Sequence, residues 1–352
     1  MKVFKSLFLV VCTGLLLGSC AEPILTQSNG FAVEFGGGKS AIKTNESLQL
    51  SLTNGKGLAV DSVAYFLDDI RIGSSTDGNA QLALPDGKVG VRKVLAQIFS
   101  GDTNYSAVSE VTVLAENPPV TYDYEILETY PHDINAFTQG IEFVGDTLYE
   151  STGQIGRSSL RKVNMESGEV LAQIPLVGNQ FGEGLTVLDD KIYQLTWLDK
   201  IGLVYDLNTF TKEGVFFYND SPEGWGLCND GEKIFKSDGS SRIWILDPQT
   251  MIEQDYIQIY TNTSMIDKIN ELEYIDGKIY ANVWQYNAIA IINPETGVVE
   301  GQIDIRGLKD QVTQHEKVDV LNGIAYKGVP GELYLTGKLW DKLFKVRLVE
   351  RQ

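Results

Sequence analysis

Five stretches of the 352-residue chain share one pattern: QGIEFVGDTLYESTG (139–153), EGLTVLDDKIYQLTW (183–197), WGLCNDGEKIFKSDG (225–239), NELEYIDGKIYANVW (270–284) and NGIAYKGVPGELYLTGK (322–338). Repetition constrains a fold more than local propensity does, because each unit must bury its apolar face against its own copies. Every stretch holds a short apolar strand, a turn of Gly, Asp or Asn, and a second strand built on LY, IY or IF, the pattern of a β-hairpin. A second hairpin follows each of the first four: SSLRKVNMESGEVLAQIPL, GLVYDLNTFTKEGVFFY, SRIWILDPQTMIEQDYIQI and AIAIINPETGVVEGQIDI. Two hairpins make a four-stranded unit of roughly 42 to 52 residues, the size of a propeller blade. The last repeat ends in DKLFKVRLVERQ, with chain for only a third strand, while YDYEILETY (122–130) is a spare strand ahead of the first repeat. A five-bladed β-propeller over 121–352, closed by that leading strand so that no sheet edge stays open, is the fold this predicts. A barrel or β-helix would not require both a truncated final unit and a spare leading strand.

Residues 28–115 read as short strands in FAVEF, SLQLSLT, DSVAYFLDD, QLALP, VRKVLAQIFS and SEVTVLA, with turn residues between them. That alternation predicts a small immunoglobulin-like β-sandwich, joined to the repeats by ENPPV (116–120) as a stiff linker. The first twenty residues, MKVFKSLFLVVCTGLLLGSC, carry two lysines, a short apolar run and small residues before a cysteine. This is the pattern of an export signal, 1–20, and LLGSC resembles the lipobox of bacterial lipoproteins. Cys20 is then the lipidation site, and the protein is expected outside the cytoplasm, tethered to a bacterial membrane by lipid alone.

Composition narrows the chemistry. A formal charge of −18 argues against nucleic acid or an anionic membrane surface as partner. With Cys12 in the signal and Cys20 lipidated, Cys228 is the one cysteine left in the folded part, so no internal disulfide is expected. The two histidines, His132 and His315, cannot build a multi-histidine metal site. Catalysis would fall to carboxylates, amides, lysine or aromatics, and the chain is expected to act as a monomer without cofactor or metal.

Because the strands of a hairpin run out and back, the residue that starts the first strand and the one that leaves the second lie at the same end. The leading ring is Gln139, Glu183, Trp225, Asn270 and Asn322; the trailing ring is Gly153, Trp197, Gly239, Trp284 and Lys338. Phe137 and Phe181 stand two residues ahead of the first two leading positions. Packing would repeat similar residues at equivalent positions, but these rings differ from unit to unit. A carboxylate, a lysine, three amides and three tryptophans around one opening suit a small-ligand pocket. His132 and Asp133 read instead as structural, Asp238 as a turn residue, and 307–320 as an irregular insertion at the pocket rim.

PHDINAFTQG, YESTG, FGEGLT, LTW, GWGL, NELEY, ANVW, LNGIAY and TGKLWDKLF closely resemble the plant-type glutaminyl-peptide cyclotransferases, over about 121–348. The resemblance implies a five-bladed propeller that converts N-terminal glutamine of peptides to pyroglutamate and releases ammonia without a metal. It implies Glu183 as the catalytic acid, with Phe137, Gln139, Phe181, Trp197, Trp225, Asn270, Trp284 and Lys338 around it. In the expected mechanism Glu183 carries the proton from attacking amine to leaving ammonia, and Gln139, Asn270 and Lys338 bind the carboxamide and its tetrahedral intermediate. Trp197, Trp225 and Trp284 clamp the glutamine stem, with Phe137, Phe181 and Asn322 completing the substrate site. Two alternatives fit the repeat pattern: a non-enzymatic propeller that binds peptides or glycans at the same rim, and a carboxylate-pair hydrolase drawing on Glu150, Asp238, Glu271 or Glu273.

Overall fold

A computed structural model describes residues 26–27 and 29–352. The expected signal and Cys20 lie outside the described residues. Within them the chain is all-β, and its helical content is two 3-10 turns, Gly36–Gly38 and Lys309–Gln311.

Each repeat forms the antiparallel unit its sequence predicts. The first three are four-stranded sheets spanning Thr138–Pro175, Gly182–Phe217 and Leu227–Gln258. The fourth runs from Ile269 to Asp304, and the fifth supplies three strands, Leu321–Ala325, Glu332–Gly337 and Lys342–Glu350. The leading strand Val120–Pro131 pairs antiparallel with Lys342–Glu350 and so becomes the outer strand of the fifth unit. It also pairs in parallel with Gly301–Ile303 through Val120–Tyr122, which fuses the fourth and fifth units into one eight-stranded sheet. The first strands of the five units, Thr138–Val144, Gly182–Leu188, Leu227–Asn229, Ile269–Ile275 and Leu321–Ala325, lie side by side in a closed circuit. The five leading positions therefore gather at one end of that circuit.

Local chemistry explains the hairpins. Asp189–Asp190 and Asp276–Gly277 join paired strands by two residues of positive φ, the tight turn whose twist matches that of the flanking strands. Beneath them the residue after each LY, IY or IF dyad, Glu150, Gln194, Lys236, Ala281 or Leu335, is at most 1% exposed. Three of the five are polar, and each has partners inside the fold, as burial of such groups requires. Gln194 donates to Ser151 Oγ and accepts from the Tyr205 hydroxyl, at 2.7 and 3.0 Å.

Ahead of the repeats, two sheets of six and three strands share one core that includes Val33, Leu50, Tyr65, Val94, Ile98 and Val113. Ile70–Ser75 adds a strand that its sequence did not announce, paired with Ser62–Leu67 across an Asp68 turn. The 116–120 segment is pinned at both ends: Ala115 N–H donates to Thr261 O at 3.1 Å, and Val120 already pairs with Gly301. The Gln258 amide grips both the N–H and the carbonyl of Val91, at 3.2 and 3.1 Å. Gly90, at φ 111°, leaves room for that side chain, since a Cβ there would stand 2.7 Å from it.

Candidate active site

A cavity of about 240 Å³ opens where the leading and trailing rings meet, lined by Phe137, Gln139, Phe181, Glu183, Trp197, Trp225, Asn270, Trp284, Asp319 and Lys338. Nine of the ten were expected from the sequence. Backbone bonds at the rim hold the rings in register: Trp197 N–H donates to Phe181 O at 3.0 Å, and Trp284 N–H to Lys268 O at 2.9 Å.

The aromatic walls are packed edge to face. Phe137 meets Phe181 at 6.0 Å and 90°, Phe181 meets Trp197 at 5.6 Å and 63°, and Trp225 meets Trp284 at 5.7 Å and 89°. Such pairs contribute roughly 0.5–1.5 kcal/mol each beyond their area and fix ring orientation. The trailing ring alternates Gly and Trp for a steric reason. A Cβ on Gly153 would come within 2.4 Å of Phe181, and one on Gly239, at φ 79°, within 2.5 Å of Trp225.

Glu183 is 5% exposed, and burial holds its carboxyl well above the usual range. The Lys338 ammonium opposes that rise and the Glu223 carboxylate adds to it. Lys338 is 6% exposed; burial lowers its affinity for a proton, against the charges of Glu183 and Asp319. Its Nζ lies 5.0 Å from the centre of the Phe137 ring. Desolvation thus drives both groups towards neutrality, the acid upwards and the lysine downwards.

The amides divide into two kinds. Asn270 lines the cavity with its Oδ1 buried and without a hydrogen-bond partner. Asn322, expected to touch substrate, stands behind the wall. It is fully buried, and its Nδ2 donates to Gln139 Oε1 and to Thr138 O, both at 3.0 Å. These two bonds hold the Asn322 side chain against the first unit rather than in the opening. Asn322 therefore fixes Gln139 with its oxygen occupied and its amide hydrogens free.

The other acids singled out in the sequence do not line the cavity. Glu150 binds His132 at 3.0 Å and the Thr138 hydroxyl at 2.8 Å, so His132 and Glu150 form a structural pair. Asp238 accepts from Trp244 Nε1 at 2.7 Å, Glu271 from Ile324 N–H at 2.9 Å, and Glu273 from Tyr326 N–H at 3.0 Å. Two acids near the cavity escaped the sequence reading. Asp319 comes from the irregular segment between the fourth and fifth units, and Glu223 accepts from the indoles of Trp197 and Trp225. Neither sits in a repeat, so no equivalent position marks it. Among the described residues no group of three or more His, Cys, Asp or Glu is placed to hold a metal ion.

The family model for glutamine cyclotransferase matches residues 98–348. A glutaminyl-peptide cyclotransferase of Arabidopsis thaliana is 42% identical over 229 residues, 64% of this chain and 71% of the relative. The crystal structure of Myxococcus xanthus glutaminyl cyclase superposes with a TM-score of 0.62 at 36% identity, covering 66% of this chain and all of that one. With the repeats, the cavity and these matches in agreement, the chain belongs to the glutamine cyclotransferase family.

Proposed function

We infer that the cavity around Glu183 is where this enzyme, a glutaminyl-peptide cyclotransferase, closes N-terminal glutamine to pyroglutamate and releases ammonia. The observation that carries the reading is a single deeply buried carboxyl sharing an aromatic-walled cavity of about 240 Å³ with a buried lysine and an unpartnered amide oxygen. That space sits below the usual range of roughly 300–1,000 Å³ for ligand pockets, which fits one residue at a peptide's end better than an internal segment.

The α-amine of a peptide has a pKa near 7.7–8.0, so an appreciable fraction, roughly 10–20% at pH 7, is already a neutral nucleophile. What the reaction needs is orientation, a place for the oxyanion and a proton for the leaving group. In the mechanism we infer, the amine nitrogen attacks the side-chain carbonyl carbon of the glutamine, forming the ring C–N bond. Gln139 N–H and Lys338 Nζ face the developing oxyanion, and Asn270 Oδ1 accepts from the substrate's nitrogen. Glu183 takes the proton from the attacking amine and returns it to the amide nitrogen as the exocyclic C–N bond breaks. Trp197, Trp225 and Trp284 hold the glutamine stem and exclude water.

Ammonia release from a Gln-initiated dipeptide by the full chain, undiminished by chelators and lost in Glu183→Gln, tests the reading. Tight peptide binding without ammonia would overturn it.

The wider architecture belongs to the same proposal. The closed circuit of five first strands supports a five-bladed propeller over 121–352, and the two-sheet core of 28–115 supports an immunoglobulin-like module. The lipobox-like LLGSC supports lipid attachment at Cys20 and an enzyme on the outer side of a bacterial membrane.

A further inference from the structure

The connection between the second and third units, residues 219–224, carries no repeat motif, yet it is among the most heavily bonded segments near the cavity. Glu253 Oε2 accepts the N–H groups of Asp220 and Ser221 at 2.7 and 3.0 Å, and its Oε1 accepts the Ser221 hydroxyl at 2.5 Å. Lys236 Nζ donates to Glu253 Oε1 at 2.8 Å and to Glu223 O at 3.0 Å, bonds Ser221 Oγ, and lies 3.9 Å from the centre of the Tyr218 ring. The side chains of Lys236 and Glu253 are 0% exposed. This anchored loop aims one carboxylate at the cavity wall. Glu223 Oε2 accepts Trp197 Nε1 at 2.5 Å and Trp225 Nε1 at 2.7 Å, so one oxygen joins the aromatic walls of two different units.

We propose that Glu223 is a positioning residue of the cyclisation, locking the indoles of Trp197 and Trp225 into the walls that grip the glutamine stem. Indole N–H groups at the edge of a cavity otherwise turn to water, and a wall that turns no longer holds a short, flexible side chain in attack geometry. Charge–hydrogen-bond pairs of this kind are stronger than neutral ones, and two donors on one oxygen fix both rings at once. Glu223 has a second, electrostatic reach. Glu183 is faced by two charges, Lys338, which favours its ionised form, and Glu223, which favours its protonated form. The neighbouring Tyr218 hydroxyl is occupied by Thr196, donating to its carbonyl at 2.8 Å and accepting from its N–H at 3.0 Å. Asp319 acts on Lys338 rather than on Glu183.

The inference rests on Glu183 as proton carrier, so Glu183→Gln is measured beside it. In the full chain, with a Gln-initiated dipeptide, Glu223→Ala should lower kcat/KM by roughly 10- to 100-fold, mainly through KM. Acrylamide should quench its tryptophan emission more strongly than that of the parent. Glu223→Gln keeps an acceptor oxygen and should hold KM within about threefold, but the limb of the pH–rate profile that reports Glu183 should move to lower pH. An unmoved limb in Glu223→Gln, or Glu223→Ala with unchanged KM and quenching, overturns the inference; should the alanine variant not fold, the glutamine variant's pH profile decides alone. If Glu183→Gln keeps full turnover, the proton-carrier reading fails. If it is inactive while both Glu223 variants match the parent, only the positioning role fails.

Discussion

Two buried lysine–glutamate pairings lie within the same circuit of strands, and their acids are wired oppositely. Lys236 and Glu253 meet at 2.8 Å, and both carboxylate oxygens take further bonds from Ser221 and the loop amides. Burial alone would raise Glu253, but the charge of Lys236, with bonds from Lys236 and Ser221, holds it below its ordinary range. Lys338 and Glu183 share a cavity instead of a hydrogen-bonded pair; burial lowers both lysines, but at Glu183 it raises the acid as well. A satisfied pair contributes rigidity and has nothing left to offer a ligand. An unsatisfied one is held ready for the bonds a substrate brings, at a cost the rest of the fold absorbs.

Replacing each lysine by methionine probes this contrast most sharply. Lys236→Met strands Glu253 and the loop it organises, and removing one partner of a buried pair costs about 3–5 kcal/mol. Lys338→Met removes a cation that no carboxylate pairs with directly, so stability should change by less than about 1 kcal/mol while kcat/KM falls by ~100-fold, the scale of losing one oxyanion donor. Denaturant midpoints and steady-state rates on both variants separate the two outcomes. Equal loss of stability in the two variants would erase the distinction.

A smaller effect with a definite sign comes from pH. Glu183 is raised in the folded state above its unfolded value near 4.3. Between those two values the native protein binds more protons than the unfolded chain, so this group makes stability fall as pH rises. Glu183→Gln should therefore match the parent below about pH 4 and become the more stable of the two above it. Glu253 is lowered, so its contribution is present above its unfolded value and lost as pH falls through the folded one. Glu253→Gln should be less stable than the parent at neutral pH, with the gap closing in acid. Thermal melts across pH in which both variants shift the same way would show that the two sites are not opposites.

The repeats made one half of this contrast legible and hid the other. Glu183, Asn270, Trp197 and Trp284 stand out in the sequence because equivalent positions in sister units differ where packing would make them alike. Lys236 stands at an equivalent position too, after the IF dyad, but there it reads as an ordinary outward polar residue of a strand. The 219–224 connection, folded over that face together with Glu253, buries it. Asn322 shows the converse limit: its place in the ring is visible, but the bonds to Thr138 and Gln139 that hold it behind the wall are not. Glu223 and Asp319 lie in connections, where no periodicity says which way a side chain will point.

Asp319 offers the smallest and most discriminating change. It is half-buried on the cavity wall, and one of its oxygens accepts the N–H of Val320 at 2.8 Å, a bond asparagine can keep. Asp319→Asn should thus leave the wall in place and remove only a charge that supports protonated Lys338. Partial exposure screens that charge, so its contribution is about 0.2–1 kcal/mol, a factor of roughly 1.4 to 5 in the lysine's proton affinity. With the carboxylate gone, burial lowers Lys338 further, and the alkaline limb of the rate profile should move to lower pH while the acidic limb stays. A shift of the acidic limb instead would mean that Asp319 acts on Glu183, and a large loss of rate at every pH would place Asp319 in direct contact with the substrate.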